Sequence, residues 1–239
     1  MRPPRICFVG GVYHVTTRCN NKEHWFKDDS DFALFIAIML TAKAKYGVYI
    51  YAYCLMHNHV HLLVGTPNEA NLSKFMQYLN GNFAKAYNKK HGKTGHFWGG
   101  RFFSTIIESE TQFFYTVLYI EANAVNAHLV SNPEDWKWSS YHAHAHGKKD
   151  PVVDFHELYL ALGDTPEKRQ QAFREMSEDR LKERGLRQEK AVTRGIILGS
   201  ESFVQNILSL YGKNIEYYKN RKVHQYQGNI YSLTRTHNK

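Results

Sequence analysis

The pattern of apolar and polar positions changes period several times along the chain. Gly11 to Arg18 alternates and is rich in β-branched and aromatic residues, which predicts a first strand. From Ser30, a residue type that caps helices, the apolar positions Phe32, Phe35, Ile36, Met39, Leu40 and Ala44 follow helical spacing until Gly47 stops them. Val48 to Leu55 reads as a second strand with Tyr49, Tyr51 and Tyr53 on one face, and the apolar run that continues to Gly65 reads as a third, paired antiparallel with it. Pro67-Asn68 turns the chain into a helix whose stripe is Leu72, Phe75, Met76, Leu79, Phe83, Ala86 and Tyr87. His91 to Gly100 is glycine-rich and reads as a flexible segment, Phe102 to Ile107 as a strand, and Thr111 to Leu129 as a helix with Phe114, Val117, Leu118 and Val125 inward. This order predicts an α+β fold: a ferredoxin-like antiparallel sheet (βαββαβ) with the third strand central, helices chiefly on one face, and one added helix.

Beyond about residue 150 the character changes. Asp164 to Arg194 is highly charged and helical in bias, interrupted by Gly185, and Gly199-Ser200-Glu201-Ser202 opens a short helix carrying Phe203, Ile207 and Leu208. Residues 213–239 hold six Lys/Arg against one Glu, with four tyrosines, and read either as a disordered polar tail or as a single-strand DNA contact. The expected division is a domain over 1–150 and a mainly helical, basic C-terminal extension over 151–239.

The third strand carries the candidate chemistry. Its segment Met56-His57-Asn58-His59-Val60-His61-Leu62-Leu63 sets histidines at every second position. Residues two apart in a strand share a face, about 7 Å apart at Cα, so His59 and His61 can converge on one divalent ion. The same residues also fit ordinary strand histidines on a half-exposed face. His57 is placed on the same face, about 13 Å from His61 and too far to share the ion.

That segment resembles the Met-Pro-Asn-His-Val-His-Leu-Leu signature of the IS200/IS605-like single-tyrosine HUH transposases and their REP-associated relatives. Tyr13-His14-Val15-Thr16-Thr17-Arg18, Asn20-Asn21, Phe97-Trp98-Gly99-Gly100-Arg101-Phe102, Leu118-Tyr119-Ile120-Glu121-Ala122-Asn123 and Trp138-Ser139-Ser140-Tyr141 resemble other parts of that family in the family's order, over about residues 9–145. The departures are His57 and Ala124, where proline is usual; the second is expected to lengthen or straighten the helix. The resemblance implies Tyr119 as nucleophile, forming a 5′-phosphotyrosine link, and a REP-associated type is favoured by the long extension. Asn123, one helical turn beyond Tyr119, offers a hard amide oxygen, so His59, His61 and Asn123 would hold Mg²⁺ or Mn²⁺. Tyr115, on the same helix face, is expected to pack. Arg18, Lys85, Lys89 and Arg101 are candidates for phosphate contact and Trp98 for base stacking.

Composition narrows the partners. A formal charge of +9 with 16 Tyr, 14 Phe and 4 Trp suits a binder of single-stranded or hairpin DNA. Cys7, Cys19 and Cys54 lack metal spacing and read as reduced thiols, no apolar run reaches membrane length, and no signal peptide opens the chain, so a cytoplasmic monomer or homodimer is expected. Three functions compete: a metal-dependent single-strand DNA transposase, a domesticated non-cutting binder of DNA or RNA hairpins, and a metal-binding domain without nucleic acid. The basic balance weighs against the third.

Overall fold

The computed structural model describes residues 5–182, 195–212 and 223–234. Four strands form the heart of the sheet: β1 (Gly11–Arg18), β2 (Tyr49–Leu55), β3 (His59–Thr66) and β4 (Phe103–Ile107). Their order is β2-β3-β1-β4, antiparallel throughout, with β3 and β1 inside. Helices α1 (Asp29–Tyr46) and α2 (Leu72–His91) supply the two crossovers of the βαββαβ unit. The α1 cap is Asp28, which accepts from the Ser30 and Asp31 amides, rather than Ser30, and Gly47 closes the helix at φ 58°.

Alternation along β1 and β3 splits the core in two. Tyr13, Val15, Val60, Leu62 and Val64 face α1 and α2 and join an aromatic cluster around Phe26, Phe35, Phe83 and Phe97. The other face was expected to be largely bare of helices and is covered. Helix α3 (Ser109–Glu121) lies on it, backed by α5 (Tyr141–His146), α6 (Glu157–Leu160) and α7 (Pro166–Lys182), whose Tyr141, Tyr159 and Phe173 are buried with Leu63 and Val117. A bulge in β2 between Ile50 and Ala52 undoes the expected tyrosine row. Tyr51 turns to the α3 face and Tyr53 to the α1/α2 face, because the extra residue shifts the alternation by one.

The α3 segment is also not one helix. It breaks at Ala122 and resumes as the short α4 (Asn123–Asn126), so Ala124 does not lengthen it. The C-terminal extension is helical over α7 and α8 (Glu201–Ile207), and it adds three strands to the same sheet: β5 (Gly195–Gly199), β6 (Val223–Gln227) and β7 (Ile230–Thr234). β5 runs parallel to β4, and β7 and β6 follow antiparallel, giving seven strands in the order β2-β3-β1-β4-β5-β7-β6. Part of the tail read as disordered, residues 223–234, is therefore a hairpin; its flanks, Gly185 and the first four residues lie outside the described residues.

Candidate active site

Pairing register assembles the site before any side chain is considered. Thr16 lies opposite His61 on one side and Phe103 on the other, and Arg18 lies opposite His59. Directly opposed residues share a face, so His59, His61, Arg18 and Phe103 all project toward the α3 side. His57 does not. It sits in the β2–β3 turn, its ring Nδ1 on the Phe26 carbonyl at 2.9 Å and its face against Phe32 and Trp136. The strand begins only at His59, which is why its expected place on the histidine face fails.

His61 is buried at 3% exposure and His59 is half-buried, with their ring centroids 4.9 Å apart. Burial drives the ring pKa of His59 down to about 4, helped by the positive Arg18, and burial drives that of His61 well below its ordinary value. Both rings are thus neutral at pH 7, the protonation state that ligates metal. Behind His61 stands a residue that sequence reasoning passed over as part of a strand motif. His14, 2% exposed, stacks on His61 with the planes 5° apart and shares a 2.9 Å hydrogen bond, Nε2 to Nδ1.

Tyr119 meets this pair directly. Its ring stands edge-on to both His14 and His61, 5.7 Å from each centroid, and is 7% exposed. Tyr115, one turn earlier, turns away: its hydroxyl accepts from Arg180 on α7 at 3.2 Å, and the guanidinium lies over its ring. Asn123 follows the break at Ala122 and is 8% exposed. Its Nδ2 donates to the carbonyls of Tyr119 (2.8 Å) and Ile120 (3.2 Å), so Oδ1 is the atom that could act as a ligand.

Two carboxylates, one half-buried and one buried, pin α3 at its ends. Glu108, before its first turn, accepts from the Ser200 amide and hydroxyl at 2.7 Å each, fastening it to the start of α8. Gly199 permits this approach, since a Cβ there would lie 2.6 Å from Glu108 Cβ. Glu121, 1% exposed, accepts from His144 Nδ1 at 2.7 Å and from the Ser140 hydroxyl on the α5 side. The extension and α5 thereby fix where Tyr119 sits.

The other expected contacts scatter. Arg18 is exposed beside His59, and Arg101 is exposed just before β4. Lys85 and Lys89 are exposed on α2, across the sheet from the histidines. Trp98 packs against Phe97 and Phe83 in the aromatic cluster and donates its indole N–H to the Asn80 carbonyl at 2.9 Å. An exposed aromatic on the histidine face, two strands from His61, is Phe103, at 51%. Its signal in the sequence was only its odd place in a strand whose buried members are Thr105, Ile106 and Ile107.

Among the described residues no group of three or more His, Cys, Asp or Glu is placed to hold a metal ion. The groups that could serve as donors are instead two neutral imidazoles, His59 and His61, and the Asn123 amide oxygen, a mixed N,N,O set whose chemistry fits a hard divalent cation. Among the described residues no helix is long and apolar enough to cross a membrane.

Residues 7–123 match the model of the family described as "Transposase IS200 like". A solved REP-associated tyrosine transposase bound to a REP hairpin is 19% identical, covering 65% of this chain and 92% of its own at a TM-score of 0.54, a likeness of fold. A transposase structure from Deinococcus radiodurans R1, also 19% identical, covers 44% of this chain and 84% of its own at a TM-score of 0.35. No curated protein matches.

Proposed function

We propose, for a chain whose residues 7–123 match the IS200-like transposase family, that it cleaves and rejoins single-stranded DNA next to hairpins, with Tyr119 as nucleophile. The observation that carries this reading is the placement of the Tyr119 ring against His61, 5.7 Å between centroids within one chain. His59, His61 and Asn123 would hold Mg²⁺ or Mn²⁺, which would supply positive charge against the scissile phosphate.

The Tyr119 hydroxyl attacks phosphorus. The tyrosyl O–P bond forms as the P–O3′ bond breaks, and the proton lost by tyrosine is matched by one gained at the departing 3′ oxygen. The 5′-phosphotyrosine keeps the bond energy, so a second 3′-hydroxyl can reverse the step on another strand without a nucleotide cofactor. Arg18, beside His59, is suited to the backbone phosphate. Phe103, two strands from His61 on the same face, is suited to stacking an unpaired base at about 10 Å, roughly one nucleotide away. That role passes to it from Trp98. Arg101, Lys85 and Lys89 remain more distant phosphate contacts. The catalytic unit is residues 1–150, and the extension braces α3 through Ser200.

The nearness of Tyr119 to its own chain's His61 favours action in cis. The test is a denaturing gel of end-labelled hairpin DNA with Mg²⁺ or Mn²⁺, using Tyr119→Phe and His61→Ala separately and mixed. Each alone should form no covalent adduct while still binding the hairpin, and the mixture should stay inactive. Activity restored on mixing would show action in trans, and an adduct in Tyr119→Phe would remove the mechanism in favour of a non-cutting or differently cutting protein.

A further inference from the structure

Each of the two histidines is held from behind by a different side chain, and one of the two holds can be read without ambiguity. His59 Nδ1 lies 2.6 Å from Asn58 Oδ1. The orientation of the Asn58 amide is fixed by its other end, where Nδ2 donates to the Lys22 carbonyl at 2.9 Å. A carbonyl only accepts, so nitrogen faces Lys22 and oxygen faces His59. An amide oxygen also only accepts, so the proton sits on His59 Nδ1 and the lone pair on Nε2.

Asn58 is in turn braced by the loop after β1. Its carbonyl accepts from the Cys19 amide at 2.8 Å. Asn21 and Lys22 both adopt left-handed backbone angles, φ 51° and 59°. For a residue such as lysine this conformation is disfavoured by its Cβ and needs a surrounding structure that enforces it. Here it aims the Lys22 carbonyl at the Asn58 amide. His61 is held by His14 through the 2.9 Å Nε2–Nδ1 bond between stacked, buried rings.

We propose that Asn58 and His14 are positioning residues that set His59 and His61 as the same tautomer, proton on Nδ1 and lone pair on Nε2, so that both lone pairs are presented on the Tyr119 side before any ligand arrives. The left-handed Asn21-Lys22 turn is the brace that keeps Asn58 in place. The purpose assigned to this device, metal ligation, rests on the reading of the site above, and so does the direction of the His14–His61 bond; the His59 tautomer does not. A free imidazole exchanges its proton between both nitrogens. Fixing it removes that freedom, and loss of such an outer partner typically lowers metal affinity by 10–100-fold.

The test uses the full-length protein without metal, with ring nitrogens followed by long-range ¹H–¹⁵N correlation. Both histidines should give the pattern of a pure Nδ1–H tautomer. Asn58→Leu should mix the tautomers of His59 alone. His14→Phe, which keeps a flat ring in the stack, should mix those of His61 alone, and His14→Gln, which keeps an acceptor, should restore much of the native pattern. Mn²⁺ affinity read by electron paramagnetic resonance should fall by about 10–100-fold in Asn58→Leu and His14→Phe. An Nε2–H tautomer at either histidine of the native protein, or native tautomers and native Mn²⁺ affinity in both variants, would overturn the proposal. If the tautomers are fixed but the native protein takes up no Mn²⁺, the positioning role stands and the metal reading fails. Asn58 lies in a half-buried turn, so its variant decides the matter for His59 even if His14→Phe does not fold.

Discussion

The two faces of the sheet spend their buried residues differently. Against α1 and α2 the interior is a set of interlocked aromatic rings: Phe83 alone has ring neighbours at 5.1 Å (Phe26), 5.0 Å (Phe35) and 5.0 Å (Phe97). Against α3 the same strands bury His14, His61, Thr105, Gln112, Thr116, Glu121, Asn123 and His144 among the apolar side chains. Buried polar groups are costly unless satisfied, whereas ring packing is not. One face therefore holds the domain together, and the surplus stability lets the other carry neutral histidines and a tyrosine in fixed relation. Asp31 shows the first face's polar exception being put to structural use. Burial alone would raise its carboxyl pKa, but Lys90 and His91 at the end of α2, at 2.6 and 2.8 Å, outweigh it and hold the pKa below its ordinary value.

The contrast is broken most severely by Phe83→Ala. Truncating a ring enclosed on three sides should cost about 3–5 kcal/mol by denaturant unfolding. A loss under about 1 kcal/mol would mean that the aromatic face is not where stability resides.

On the other face, Phe103→Ala should leave unfolding nearly unchanged. It should weaken binding of a hairpin carrying a single-stranded flank by about 1–3 kcal/mol, with little change for the blunt hairpin. Equal loss for both DNAs would assign Phe103 to packing.

The smallest effect concerns pH. The folded His59 titrates near 4, against 6.5 for the ordinary ring. Between those values the unfolded chain takes up a proton that the folded one does not, so this residue lowers stability as pH falls from 6.5 toward 4 and contributes nothing above 6.5. His59→Gln should flatten the metal-free stability profile in that window only. An unchanged slope would mean that His59 is solvated.

Strand and helix positions were largely legible because period and end signals agree: β1 runs over the predicted Gly11–Arg18, and Gly47 stops α1 as expected. His59 and His61 were legible as a pair because strand alternation is geometric. His14 was not, since one histidine in an apolar strand carries no sign of its cross-strand partner until register is known. The bulge at Tyr51 and the break at Ala122 depend on packing against α3 and α5 rather than on residue type. His57 was misplaced by extending strand geometry into a turn. The strands β5 to β7 escaped notice because Gly195–Gly199 is short and sits beside highly charged sequence, where helical bias dominates the reading.

The central claim is that Tyr119, and not its neighbour one turn away, is the group that becomes joined to DNA. The most direct measurement is mass spectrometry of the covalent adduct trapped on single-stranded hairpin DNA with Mn²⁺, after digestion of protein and nucleic acid. A single modified peptide is expected, with a 5′-linked nucleotide on Tyr119 and Tyr115 unmodified. A nucleotide on Tyr115, on a serine or on no residue at all would contradict it.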